Sequence, residues 1–263
     1  MASTPSVPPT AEGIRYRPGP SLKPERIEAT RQAAGPHQIY RRLMIGRFEP
    51  GSKTVQETRL LLLRHAETSA PDRFHGAESD IGLGERGLKQ AEDVARVLAA
   101  EHADILYTSA MKRAAATAKP IGEACGLTPI IVPALHERKM GPLSGLTREE
   151  GLEEFRIVKY HWMNGELKYT HQGGESFQDV QTRIVPIFED IVSKSPGKTI
   201  IVVTHGVVIR VFLTSVLEGR NAADFDTFAI DNVALNDLRR DGERWKAVIL
   251  NRRIGAGHDD FAW

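Results

Sequence analysis

Cysteine occurs once in the 263 residues, at Cys125. A lone thiol excludes an intramolecular disulfide and a thiolate zinc cluster. It lies in the small, apolar run Ile121-Gly122-Glu123-Ala124-Cys125-Gly126, where the expectation is the buried end of a helix. An excess of one charge is also lacking, because the formal net charge is +1. No global field favours nucleic acid or an anionic membrane, and any attraction for an anion must be local. No apolar stretch approaches the roughly 20 residues that span a bilayer. The first residues carry neither a basic region nor an apolar core of the signal-peptide kind, so a cytoplasmic protein is expected. No closely spaced pair of histidines is present to combine with a carboxylate as a zinc site, and no metal or other cofactor is expected.

What is present divides unevenly. Residues 1–54 are punctuated by Pro5, Pro8, Pro9, Pro18, Pro20, Pro24 and Pro36 and hold few large apolar side chains. Such a stretch cannot offset its ordering entropy by burial, and a flexible arm is expected there. Residues 55–254 are expected to form one catalytic domain, and residues 255–263 a short tail. The overall 41% hydrophobic content is enough for a sizeable core.

From Thr58 onward strand and helix signals alternate, which predicts an α/β fold of three layers, α/β/α, with a mainly parallel central sheet. Strands are expected at Arg59–Arg64, Asp104–Thr108, Pro129–Val132 and Thr199–Thr204. Val233–Arg239 and Trp245–Leu250 follow without a long helix between them, and Asp241-Gly242 fits the turn of an edge hairpin. Leu88, Ala91, Ala95 and Leu98 fall at helical spacing. So do Phe177, Val180, Ile184, Ile187, Phe188 and Ile191, with Pro186 expected to bend or interrupt the helix.

Four segments carry chemistry. Leu60 to Leu63 read as a buried strand ending in Arg64-His65, and Ile200 to Thr204 as another ending in His205-Gly206. Strands that stop in this way deliver side chains to the carboxyl edge of a sheet, where open α/β folds place their ligands. Arginine forks onto phosphate oxygens, and a neutral imidazole nitrogen can attack phosphorus. Between them lie Ser109, expected to cap a helix carrying Arg113, and a Gly-rich loop, Leu135 to Gly145, that holds Glu137 and Arg138. Taken one at a time, these residues have plainer readings. A strand-terminal histidine can be structural, Arg64 and Arg113 can pair with Glu67 or Glu85, and Glu137 can belong to a solvated charge cluster.

Together the segments resemble the histidine phosphatase superfamily, the phosphoglycerate-mutase-like fold. The resemblance rests on Arg64-His65-Ala66-Glu67-Thr68 with Gly76, Asp80, Leu83, Gly87 and Gln90-Ala91, then Arg113 with Thr117-Ala118. Glu137 with Gly141 and Gly145, Gly173-Gly174-Glu175-Ser176 with Arg183, and Thr204-His205-Gly206 complete the order, from about Arg59 to Leu250. It implies a metal-independent phosphomonoester hydrolase working through a phosphohistidine on a small phosphorylated metabolite. His65 would be the nucleophile, Glu137 the acid and base, and Arg64, Arg113 and a protonated His205 the holders of the phosphoryl oxygens. Thr68, Gly206 at a helix start, and Arg138 join them as substrate contacts. Where the family often has Asn beyond the nucleophile this chain has Ala70-Pro71-Asp72, and Thr68, Arg73 or His75 would supply that contact. Gly173 and Gly174 are read as a turn, with Glu175 and Ser176 opening the next helix.

Two other functions remain in view. A phosphoglycerate mutase shares the motifs, but Met140 stands where mutases usually carry Tyr. The long basic insertion that excludes water is also not evident around Tyr160-His161-Trp162-Met163-Asn164. A silent phosphate-binding module is the third reading. Lid or rim candidates are Phe74, His75, Arg138, Lys139, Tyr160, His161 and Trp162. No nucleic-acid or membrane partner is expected, and a homodimer is compatible with the sequence.

Overall fold

The computed structural model describes residues 56–254; the expected arm, 1–54, and tail, 255–263, lie outside them. Six strands form one sheet: β1 (Thr58–Arg64), β2 (Ile105–Thr108), β3 (Ile130–Ile131), β4 (Thr199–Thr204), β5 (Leu235–Asp241) and β6 (Arg244–Arg252). Their spatial order is β3-β2-β4-β1-β5-β6. The first four are parallel, and β5 and β6 add an antiparallel edge. The expected hairpin turns at Gly242, whose φ of 56° suits a residue without Cβ.

The four consecutive leucines of β1 are all fully buried because successive side chains point to opposite faces and both faces are covered. Leu60 and Leu62 pack with Ile200 and Val202 under α3 (Arg148–Met163), α4 (Phe177–Ser193) and α5 (Gly206–Val216). Leu61 and Leu63 pack with Ile201 and Val203 under α1 (Glu85–Leu98) and α2 (Lys112–Cys125). Three layers result, as the alternation of signals predicts.

Several local expectations are corrected. Leu88 is 53% exposed, and the buried face of α1 is Gly87, Gln90, Ala91, Val94, Ala95 and Leu98. Pro186 neither ends nor interrupts α4; it sits on the exposed face, where the carbonyl one turn earlier, deprived of its N–H partner, is not sealed in the core. Cys125 does end α2, but it is half-buried rather than buried. Ser109 does not cap α2, which starts at Lys112 after Met111, and the Lys112 N–H instead donates to Asp80 Oδ1 at 2.7 Å. Val233 lies outside β5, with a φ of 52°. Gly173 has a φ of 81°, and Ser176 caps α4 in a capping box with Asp179, as the turn reading expects.

Candidate active site

Register sets the site. Arg64 of β1 lies opposite Thr204 of β4, so the residues that follow, His65 and His205, emerge side by side at the carboxyl edge. Their rings sit 5.2 Å apart, edge to face. The His65 Nδ1–H donates to the Ala66 carbonyl at 2.7 Å, leaving the Nε2 lone pair for chemistry. Arg113 Nε donates to that same Nε2 at 3.2 Å. Burial, then the Arg113 and Arg64 charges, push the His65 pKa well below its ordinary range. His205 Nε2 bonds Ser109 Oγ at 2.9 Å. The expectation of a protonated His205 is corrected. Burial first, then Arg113, His65 and Arg64, push its pKa well down, and the ring is neutral in the free protein.

A cleft opens at this edge. Arg64, His65, Thr68, Glu137 and Gly206 line it, as the sequence predicts. Arg113 and His205 are not among the lining residues but adjoin His65, Arg113 Nε lying 3.2 Å from its Nε2 and the His205 ring 5.2 Å from its ring. Arg113 is fully buried, and its Nη1 and Nη2 donate to the carbonyls of Ser79, His75 and Gly76, which fixes the loop after His65. Arg64 donates through Nη1 to Ile230 O at 3.0 Å. Its pKa falls to about 9, through burial and then the Arg210 charge, so it stays cationic at neutral pH. Among the described residues no ion pair joins Arg64 or Arg113 to Glu67 or Glu85, and Glu67 faces Arg86 at 3.5 Å.

Glu137 is 7% exposed; Oε1 accepts the Arg138 N–H at 2.8 Å and Oε2 the Val207 N–H at 3.2 Å. One donor at the start of α5 thus serves the carboxylate rather than facing an anion. Arg138 is not a cleft residue. It is fully buried, with Nε on Glu175 O at 2.6 Å, Nη2 on Thr170 Oγ1 at 3.1 Å, and its guanidinium 4.9 Å from the Trp162 ring centre.

Of the lid candidates, Phe74 and His75 line the cleft, while Lys139, Tyr160, His161 and Trp162 do not. Trp162 is core, and His161 stacks on Tyr169. Thr68, Arg73 and His75, the substitutes considered for the missing Asn, all line the cleft.

Sequence reasoning missed Arg148, Arg210 and Asn232, which also line it. Arg210 was findable, since it falls one helical turn beyond Gly206. Asn232 was not, because only the pairing of β5 beside β1 places the segment just before β5 so that Asn232 Nδ2 donates to the His65 carbonyl, at 2.8 Å. Among the described residues no group of three or more His, Cys, Asp or Glu side chains is arranged to hold a metal ion.

A mainly parallel sheet whose strand ends bring together two imidazoles, guanidiniums and a buried carboxylate has the layout of a phosphoryl-transfer enzyme of the α/β class. Residues 60–253 match the model of the histidine phosphatase superfamily, branch 1, and the chain belongs to that family. It is 33% identical over 195 residues to phosphoserine phosphatase 1 of Hydrogenobacter thermophilus, covering 73% of this chain and 92% of the relative. It is 35% identical over 204 residues to the metal-independent phosphoserine phosphatase of Arabidopsis thaliana, covering 75% and 85%. A mycobacterial glucosyl-3-phosphoglycerate phosphatase superposes with a TM-score of 0.67 at 26% identity, over 75% of this chain and all of that one. The kinship makes this chain a phosphoric monoester hydrolase and favours phosphatase over mutase.

Proposed function

We propose that the protein hydrolyses phosphate monoesters of small metabolites that carry a second negative charge, a carboxylate being the best fit. The observation that carries the reading is the His65 tautomer: Nδ1–H is committed to Ala66 O, and Nε2 keeps its lone pair beside two guanidiniums. Nε2 attacks phosphorus, the ester P–O bond breaks, and the departing oxygen takes a proton from the Glu137 carboxyl group. Glu137, now a carboxylate, takes a proton from water; the resulting hydroxide attacks phosphorus, the P–N bond breaks, and phosphate and free His65 are restored. Arg64, Arg113, Thr68 and Gly206 hold the phosphoryl oxygens in this scheme. When the phosphoryl group arrives, the Arg113 N–H that His65 accepts passes to a phosphoryl oxygen, which releases the lone pair. The dianion favours the protonated form of His205, which then donates as well.

The second charge is inferred from the wall of the cleft. Four guanidiniums, Arg64, Arg73, Arg148 and Arg210, face two carboxylates, Glu67 and Glu137. Arg64 and Arg113 suffice for a phosphoryl group, so Arg73, Arg148 and Arg210 suit a further anion. Phosphoserine and phosphoglycerate esters, the substrates named for the relatives, have this form. The lid candidates on α3 and the segment after it do not line the cleft, which leaves water access and favours hydrolysis over isomerisation. We keep the sequence-based reading of a cytoplasmic protein without nucleic-acid or membrane partners, acting alone or as a homodimer.

The deciding experiment pairs rapid-quench labelling with phosphate release across a panel of esters. Acid-labile label on wild-type protein and none on His65→Ala is expected. Undiminished turnover by His65→Ala would remove this site, and isomerisation without phosphate release would restore the mutase.

A further inference from the structure

Glu137 projects from irregular backbone between β3 and α3, and such backbone aims a carboxyl group only as firmly as its own hydrogen bonds allow. One ion pair supplies several of those bonds on both sides of Glu137. Arg183 on α4 grips Glu175 with two prongs, Nε to Oε1 and Nη2 to Oε2, each 2.9 Å. The remaining nitrogen, Nη1, donates to the carbonyls of Ala134 and His136, at 2.7 and 3.0 Å. Glu175 Oε2 also accepts the Lys139 N–H at 2.8 Å, and the Glu175 N–H donates to Lys139 O at 2.8 Å. The Glu175 carbonyl takes Arg138 Nε. Both flanks of Glu137 are therefore tied to one pair, while neither Glu175 nor Arg183 lines the cleft.

We infer that the Glu175–Arg183 pair is a positioning device for the Glu137 carboxyl group, holding it on the leaving-group oxygen. The inference rests on the reading of Glu137 as proton donor. A salt bridge with a merely structural role would change the folded fraction and treat every substrate alike. A positioning pair must discriminate by leaving group. An alkoxide needs a proton as it departs, whereas p-nitrophenolate leaves as a stable anion without one. Misaiming Glu137 therefore slows alkyl esters and spares the aryl ester.

The test compares kcat/KM for p-nitrophenyl phosphate and for the best alkyl ester of the panel in full-length Glu175→Gln, Arg183→Met, Arg183→Lys and Glu137→Gln. Both substrates are measured on the same preparation, so the ratio does not depend on how much protein is folded. Glu137→Gln is expected to lower the alkyl-to-aryl ratio most. Glu175→Gln and Arg183→Met should lower it by about tenfold, part of the 10²–10⁴ that a general acid supplies. Arg183→Lys, which keeps the charge but not the fork, should fall between them and wild type. A ratio that moves in Glu137→Gln and stays at the wild-type value in the pair variants overturns the inference and leaves the role of Glu137 standing. A ratio unmoved in Glu137→Gln overturns the donor reading itself, and the inference with it.

Discussion

Arg113 Nε donates to His65 Nε2 across 3.2 Å, so the nitrogen assigned to attack is the one held by a buried cation. The contact fixes the ring with its lone pair on Nε2. The Arg113 charge is also the largest influence after burial in keeping His65 unprotonated. Arg113→Ala should therefore do two things. Turnover should fall by about 10²–10³ through loss of a charge-stabilising donor. The acid limb of the kcat/KM profile should also move up in pH, because the imidazole regains basicity. A profile whose acid limb stays in place would show that Arg113 does not act on the imidazole.

Two neutral, buried imidazoles make stability depend on pH in a definite direction. His65 and His205 are 5% and 0% exposed, and both titrate well below the ordinary 6.5. In the unfolded chain they bind protons near pH 6.5; in the folded protein they do so only at much lower pH. Stability is fully present above about pH 6.5 and is lost as pH falls toward the folded values, by up to about 1.4 kcal/mol per pH unit for each ring. Half-buried His75, also lowered, adds in the same direction. Urea unfolding at pH 7 and pH 5.5 checks this. His205→Asn should flatten the dependence, and an unchanged slope would mean that His205 titrates normally.

The legible part of this protein is the part carried by runs of adjacent residues. Leu60 to His65 and Ile200 to Gly206 each encode a doubly covered strand and its terminal chemistry in consecutive positions, and pairing of β1 with β4 then places both histidines. Arg138 shows where that legibility stops. It shares the loop of Glu137, yet it faces Trp162 and the Glu175 carbonyl rather than the cleft, partners that lie 24 and 37 residues away and that no local spacing encodes. The charge state of His205 was illegible for another reason: its pKa is lowered first by burial and then by Arg113, His65 and Arg64, all of them consequences of the three-dimensional fold. Asp80 likewise serves a helix 32 residues away, a contact no local spacing encodes.

Gly87 has a packing role that its place in the sequence signature does not reveal. A Cβ built there would meet the Glu67 carbonyl oxygen at 1.9 Å, so α1 touches the backbone two residues beyond His65. Gly87→Ala must push the helix from the strand exit, and the expected cost is about 1–3 kcal/mol of stability, the usual penalty of overpacking. Gly126→Ala is the control. That position has a φ of 68° and open space, so only the backbone term, about 1 kcal/mol, applies. Turnover should fall in folded Gly87→Ala, because the displaced backbone carries His65, and should persist in Gly126→Ala. Equal thermal shifts and equal kcat values in the two variants would refute the close-approach account.

Arg148 gives the sharpest test of what the cleft accepts. It opens α3 behind the Thr147 cap, its Nε donates to Pro71 O at 3.0 Å, and its side chain lines the cleft. Its charge is felt at Arg64, which places it close to the phosphoryl grip without being part of it. A charge-assisted hydrogen bond from Arg148 to a substrate carboxylate is worth about 1.5–3 kcal/mol. Arg148→Ala should then raise KM for a carboxylate-bearing ester such as phosphoserine by roughly tenfold or more at little change in kcat, the pattern of lost uniform binding. Hydrolysis of p-nitrophenyl phosphate, which has no carboxylate to hold, should stay within about twofold of wild type. Equal losses on both esters would assign Arg148 to the phosphoryl group or to the fold, and the second anion would have to be met by Arg73 or Arg210 instead.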